Sequence, residues 1–381
     1  MLLPSIHHEL GWSRTEITGA FSVAVLVSAL AGLAVGPMLD RRSPRLLMTG
    51  GAAAAGLLVV AWSRVQTPLE LYLVFTGLGL AMATLLYEAA FTVLAKWLST
   101  RRRDAALTTL TVVGATASLI FSPLTHGLDA ALGWRDALLV LAAILAGVAV
   151  PLHALALPRR APRVDVSPGA EVAAPRQVLR SLPFWLLAGA FMLGSFSTYA
   201  IVVHLVSLLI RSGQSAAFAA FVAGILGIAQ LPGRLALGLV GRRLSDRFLP
   251  AAVFGLGMIA LILLAGERSA WTAVVFATLF GASNGMATLL RATLVADLWG
   301  RERYGAIQAA LSAPYNLARA AAPVLASVLV ALTGSYTSLL WILAAATGVA
   351  ALAGTIAVPR AAWSKRPPRG SRRGSGRASG R

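Results

Sequence analysis

The sequence predicts an all-α membrane protein with about 11 transmembrane helices. Three observations lead there. Of the 381 residues, 57% are hydrophobic and only 12% are charged, where an average soluble protein carries about 25% charge. The mean hydropathy is +0.77. The apolar residues come in long unbroken runs of roughly the 17–25 residues that cross a hydrocarbon core as a helix, not in the alternating pattern of a barrel strand.

Residues 1–16 read as a short polar lead with no basic n-region and no long apolar core, so no signal peptide is expected. The predicted spans are 17–39, 46–62, 69–95, 105–124, 134–157, 184–210, 216–239, 249–265, 271–296, 305–331 and 336–358. The first loop is Gly36-Pro-Met-Leu-Asp-Arg-Arg-Ser-Pro-Arg45. Its charges are too many for hydrocarbon, Gly36 and Pro37 shape the exit of the span before it, and Ser43-Pro44 breaks the chain before the next. Short loops join the remaining spans except at 158–183, a Pro-rich polar linker. The expected organisation is a five-span bundle over 1–157, the linker, a six-span bundle over 184–358, and a Gly/Ser/Arg-rich tail over 359–381 that cannot bury a core and is expected to be disordered. The chain contains no cysteine, which excludes disulfides, Cys-ligated zinc and Cys nucleophiles.

The net charge of +19 has a topological reading. Alternating the loops places 25 of the 33 Lys and Arg residues on the side of the Gly36–Arg45 loop, 5 on the other, and Arg234, Arg291 and Arg319 within spans. The positive-inside bias then makes the first side cytoplasmic, in the plasma membrane, with the N-terminus outside and the C-terminus inside. The eight cations of the tail read as retention on that side with attraction to anionic lipid. Nucleic acid is not an expected partner.

The spacing Gly36-x-x-x-Asp40-Arg41-x-x-x-Arg45 resembles the loop between helices 2 and 3 of the major facilitator superfamily of transporters, with Ser43 in place of the usual second glycine. Asp246-Arg247 repeats part of it in the second half. Gly11-Trp-Ser-Arg-Thr-Glu16, Tyr87-Glu-Ala-Ala-Phe-Thr-Val-Leu-Ala-Lys-Trp97 with Arg101-Arg-Arg-Asp-Ala105, Gly133-Trp-Arg135 and Pro232-Gly-Arg-Leu-Ala-Leu-Gly238 resemble segments of its monocarboxylate-transporter-like branch. The resemblance implies a two-bundle fold with a substrate site between the halves. It also implies one helix ahead of Leu2, so the chain reads as a twelve-helix plan without its first helix. Some relatives place an aspartate one turn before the arginine of helix 8. Here Gln230 stands there, so a proton-carrying Asp–Arg pair is not inherited.

Ionisable groups inside spans are costly and are functional candidates by default. Arg234 lies two turns short of the inner end of its span. It reads either as a snorkelling anchor or as a cavity arginine with a free face for a substrate carboxylate, held through its planar fork. Arg319 lies near mid-span with Tyr315 and Asn316 one turn away, and these three, with Tyr87, complete the candidate substrate residues. Arg291 reads equally as an anchor. Glu88, the one acid away from the ends of a span, reads as the partner of Arg291 or Lys96, or as a proton site, because burial of a carboxylate favours the neutral form. His204 reads as a packing residue or a proton gate. His126 and His153 lack ligand spacing, so no metal and no cofactor is expected. Gly36, Asp40, Arg41 and Arg45 form the expected conformational latch, with Asp40 paired to arginines or facing a helix N-terminus. Gly77, Gly79, Gly114, Gly189, Gly194, Gly224 and Gly227 are expected at close helix crossings.

No Walker motif and no supported Ser/His/Asp set is present, so neither ATP drive nor enzymatic catalysis is expected. The leading reading is a monomeric secondary transporter that moves a small organic anion, such as a monocarboxylate, by alternating access. A non-transporting truncated relative or membrane sensor is the alternative of a different class. A drug or sugar carrier of the same superfamily differs only in substrate.

Overall fold

A computed structural model describes residues 2–159, 175–243 and 245–359; the tail expected to be disordered lies almost wholly outside them. The described residues form helices, with no strand among them. In order they are α1 (Leu3–Leu10), α2 (Arg14–Arg41), α3 (Pro44–Trp62), α4 (Pro68–Leu85), α5 (Tyr87–Trp97), α6 (Thr100–Leu132), α7 (Trp134–Ile144) and α8 (Val150–Ala156). Then come α9 (Pro175–Leu179), α10 (Leu182–Arg211), α11 (Ala216–Arg243), α12 (Leu249–Gly266), α13 (Ala270–Trp299), α14 (Tyr304–Thr333) and α15 (Tyr336–Ala357). Among them are 11 stretches long and apolar enough to cross a membrane.

Local signals account for most boundaries. The lead expected to be merely polar contains α1, whose Ile6 is buried with Leu2, Ile17, Trp134 and Leu138. Gly11 ends it at φ +69. Ser13 then caps α2 in a capping box with Glu16, and Thr67 caps α4 the same way with Glu70. α2 runs through Pro37 to Arg41, so Pro37 does not end it; Ser43 and Pro44 start α3.

The segment Gly133-Trp-Arg135 builds a corner. Gly133 turns the chain at φ +80. Trp134 is buried and donates from Nε1 to Glu9 at 2.6 Å. Arg135 donates to Glu9 at 2.8 Å and to the carbonyls of Ser63 and Val65 at 2.7 and 3.2 Å. One arginine thus ties α1, the α3–α4 turn and α7.

Two spans expected as single helices are interrupted. The third is α4 plus α5, broken at Leu86, where ψ is −171. The fifth is α7 and α8 joined by a π-helical turn at Leu145–Ala149, just before Pro151.

The elements pack as two groups, α1 to α8 and α10 to α15. In the second, α11 and α13 cross so closely that a Cβ on Gly233 would overlap the backbone of Ala282, and one on Gly285 the backbone of Gln230. Of the glycines expected at crossings, Gly79 meets the backbone of Ala24, and Gly77, Gly114 and Gly194 meet side chains. Gly189, Gly224 and Gly227 have nothing within 4 Å. The groups meet mainly through α2 against α14, with smaller contacts of α5 with α14 and of α6 with α11 and α13. Gly36 and Gly305 face each other there, and a Cβ on either would overlap the other's carbonyl oxygen. Leu46, Leu155, Trp271 and Leu332 are among the large apolar residues exposed on the outside, a surface suited to lipid and not to water.

Candidate functional site

The end of the molecule that carries the Gly36–Arg45 loop, here the basic end, is where the two groups are fastened. Asp40, at the end of α2, has a side chain only 3% exposed. Its carboxylate accepts from the amides of Gly305 and Ala306 at 3.1 and 2.9 Å. These are the first-turn N–H groups of α14, which have no partner in their own helix and carry its partial positive charge. Lys96 donates to the same carboxylate at 3.0 Å, to the Asp40 carbonyl at 2.8 Å and to the Glu302 carbonyl at 3.4 Å. Asp40 therefore faces a helix N-terminus, as one of the two expectations had it, but its cation is Lys96 and not an arginine. Arg45 instead donates to the carbonyls of Leu157 and Leu155, closing the end of α8 within its own group, and Arg41 is exposed.

Two further ties flank this one. Arg103, 1% exposed, pairs with Asp104 and, across the groups, with Asp297 at 2.8 Å. Arg301 donates to the Leu98 carbonyl at 2.6 Å.

Deeper in, the ties become sparse. Arg234, 4% exposed, donates from Nη1 to the Thr111 carbonyl of α6 and from Nη2 to Gln230 at 3.4 Å. Its Nε has no partner. The expected open fork is thus half occupied by the neighbouring group's backbone. Tyr87 donates to the same Thr111 carbonyl at 3.5 Å, so Tyr87 and Arg234 converge on one acceptor. Glu88, in the first turn of α5 just past the break at Leu86, accepts from Arg291 of α13 at 3.2 Å. Every cross-group hydrogen bond named here lies in the halves of the helices nearer the basic end.

Arg291 begins a ladder on the inner face of the second group. Its guanidinium lies 4.1 Å from the centroid of the Tyr315 ring and donates to Ser312 at 2.7 Å. Tyr199 is a neighbour of Tyr315. Arg319 lies over the Tyr199 ring at 4.8 Å, an arrangement that stabilises a guanidinium by cation–π attraction. Arg319 has no hydrogen-bond acceptor among the described residues, and it meets the face of the Tyr199 ring. A cavity between the groups adjoins the ladder, lined by Ser28, Gly32, Glu88, Gln308, Ser312 and Asn316 among others. The Gln308 Oε1 is buried there without a partner.

Arg319, Tyr315, Asn316, Arg291 and Glu88 are therefore brought together, with Tyr87 and Arg234 beside them. His204 is not. It sits toward the opposite end, its Nε2 3.3 Å from the Pro323 carbonyl and 3.2 Å from Ser327, and its Nδ1 3.5 Å from Tyr336. Tyr199 and Thr111 were missed. Tyr199 carried a usable signal, a phenol in mid-span at the depth of Arg319; Thr111 contributes only a carbonyl and carried none.

Comparison with known proteins agrees with the fold. The Major Facilitator Superfamily profile matches residues 1–267. Monocarboxylate transporter 13 of Rattus norvegicus is 29% identical over 287 residues, 71% of this chain and 64% of that protein. The "Uncharacterized 38 kDa protein in 23S RNA operon" of Thermoproteus tenax is 27% identical over 266 residues, 69% of this chain and 66% of that protein. The chain thus spans just under two thirds of the length of these relatives. Among solved structures, the Major Facilitator Superfamily transporter FucP in the outward conformation superposes with a TM-score of 0.69 at 16% identity, covering 94% of each chain.

Proposed function

The chain belongs to the Major Facilitator Superfamily, and from that premise we propose that it is a secondary transporter that carries a small organic anion by alternating access. The observation that carries the anion is Arg319. A guanidinium keeps its proton in any protein environment, and a charge placed between helices is stable only with a partner. Tyr199 offers its ring face, which leaves the N–H edge for a carboxylate to accept two hydrogen bonds. Of the three arginines inside the spans, Arg291 already holds Glu88 and Arg234 holds backbone and amide oxygens. The interior is therefore net positive, and Arg319 is the vacant donor. Asn316 and Tyr315 stand beside it to orient the rest of the substrate.

Alternation follows from where the ties lie. The groups are fastened at the basic end, so a substrate reaches the cavity from the other side, and release requires the basic-end ties to part. The charge bias supports placing the basic end in the cytoplasm. The bilayer and one small solute are the proposed partners, with no nucleic acid, no cofactor, no catalytic step and a monomer as the working unit. Ligand-dependent thermal stabilisation of the purified protein tests the substrate class. A carboxylate should raise the melting temperature of the parent and not of Arg319→Ala.

A neutral sugar is the second reading. It is favoured by a cavity within the second group that offers Ser195, Thr198, Ser283, Asn284, Thr288 and Thr347. Stabilisation by neutral sugars alone, unchanged in Arg319→Ala, would select it.

A further inference from the structure

We propose that the pocket inside the second group binds the hydroxylated end of the substrate, so that the solute carried is an open-chain polyhydroxy carboxylate, and that Asn284 and Thr288 select it. The proposal rests on the anion reading above and adds to it the chemistry of the substrate's other end.

The pocket is lined by residues of α10, α12, α13, α14 and α15. Polar side chains in mid-span are unfavourable unless something satisfies them. Several of those here brace helices. Ser195 donates to the Tyr315 carbonyl of α14 at 3.0 Å, Ser283 to the Val253 carbonyl of α12 at 2.7 Å, and Thr347 to Ser197 of α10 at 3.0 Å. Asn284 and Thr288 do not. Thr288 uses its proton on the Asn284 carbonyl of its own helix at 3.1 Å. The Asn284 side-chain amide can donate twice and accept twice. Among the described residues it meets only Thr198, at 3.5 Å, the outer limit of hydrogen-bond range. An amide left so unsatisfied in a low-dielectric interior is destabilising, and both side chains line the pocket. Because these hydroxyls already donate to the protein, the oxygens they turn to the space are acceptors. Groups with protons of their own, such as hydroxyls, satisfy them; an ionised carboxylate, which only accepts, does not. Phe191, Phe254 and Phe280 supply apolar faces for the C–H edges between those hydroxyls.

Tyr315 links this pocket to Arg319. It lines the pocket, and Arg319 lies one turn farther along α14, over the ring of Tyr199, which is itself one turn beyond Ser195 on α10. One helical turn rises about 5.4 Å. With C–C bonds of about 1.5 Å, a chain of roughly four to six carbons reaches from a carboxylate on Arg319 to a hydroxyl in the pocket. The pocket has about 20 Å³ of free space, room for about one or two groups the size of a water. It therefore takes the tail of an open-chain acid and not a whole sugar ring.

Probes of equal chain length separate the two ends. Hexanoate has the carboxylate alone, sorbitol the hydroxyls alone, and gluconate both. Dissociation constants for the purified full-length protein are read from ligand-dependent thermal stabilisation. Gluconate should bind on the order of tenfold or more tighter than hexanoate, the factor that one or two added hydrogen bonds supply. Thr288→Val keeps the outline of the side chain and removes its oxygen, and Asn284→Ala removes the amide. In each, the ratio of gluconate to hexanoate affinity should fall severalfold towards one. Should Asn284→Ala not fold, Thr198→Val must lower that ratio instead. Arg319→Ala should lose both carboxylates. Hexanoate as tight as gluconate in the parent, or a ratio unchanged in Thr288→Val and Asn284→Ala, overturns the proposal and leaves Arg319 an anion site. Sorbitol as tight as gluconate, and unaffected by Arg319→Ala, overturns the anion reading and with it the acid named here.

Discussion

Asp40→Asn should loosen the basic end without unfolding the protein. In the structure the Asp40 carboxylate takes two α14 amides and the Lys96 ammonium while almost fully buried. A hydrogen bond to a charged group contributes about 1.5–3 kcal/mol, and removing one partner of a buried ion pair costs about 3–5 kcal/mol. Asparagine keeps one carbonyl oxygen for one of the amides, and Lys96 keeps the Asp40 and Glu302 carbonyls. A net loss of about 3 kcal/mol from the latched state is the reasonable middle. At 1.4 kcal/mol per decade, that moves the latched-to-unlatched ratio on the order of 100-fold. Ser28 lines the cavity above the latch, so Ser28→Cys reports access to it. A membrane-impermeant maleimide applied from the basic-end side should react slowly in the parent and on the order of tenfold or more faster with Asp40→Asn, for an equilibrium shift of that size. Labelling from the opposite side should continue in both. A basic-end rate within about twofold of the parent, in protein of unchanged melting temperature, would show that the Asp40 contacts do not hold the groups together.

Arg234→Ala removes a charged donor from the Thr111 carbonyl and should weaken the latched state by about 1.5–3 kcal/mol, less than the loss of Asp40's three contacts, with Arg234→Lys recovering part of it; maleimide access equal to the parent in both variants would leave Arg234 a passive anchor. The third prediction concerns pH. The hydrogen bond from Arg135, aided by that from Trp134, holds the Glu9 carboxyl below its ordinary value. A depressed carboxylate contributes stability that is complete above its unfolded pKa and lost as pH falls through the folded one. Glu9→Gln should therefore lower the melting temperature at neutral pH and make no difference once acid has protonated the parent's Glu9. A gap that persists unchanged into acid would assign the effect to packing.

How far these features could be read from the sequence depends on the range of the interaction that makes them. The spans were legible because bilayer crossing is a local property of one apolar run. The caps Ser13 and Thr67 were within reach for the same reason. The break at Leu86 was not, since no proline or glycine occurs between Thr84 and Glu88 and the interruption comes from packing. α1 was hidden because a helix of eight residues with His7, His8 and Glu9 has no strong period; it is held by Ile6 against Trp134, far along the chain. For the site, Arg319, Arg291 and Glu88 declared themselves by the cost of charge in a membrane, but their partners lie up to 203 positions apart and no local pattern pairs them. The arginines of the first loop were credited with Asp40. Arg41 and Arg42 are exposed at the end of α2 and Arg45 is taken up by the carbonyls at the end of α8, while Lys96, two turns beyond Glu88 on the same helix, reaches Asp40.

The central claim, transport of a small organic anion held by Arg319, is tested most directly by counterflow in proteoliposomes. The vesicles are preloaded with one of a panel of unlabelled solutes: lactate, pyruvate, benzoate, galactonate and, as a neutral comparator, fucose. Uptake of the same radiolabelled solute is then followed. The account predicts accumulation of at least one carboxylate and not of fucose, abolished in Arg319→Ala and reduced in Arg319→Lys, where the charge remains but the two-pronged geometry is lost. Counterflow of fucose alone, or of a carboxylate at the parent's rate in Arg319→Ala, would contradict it.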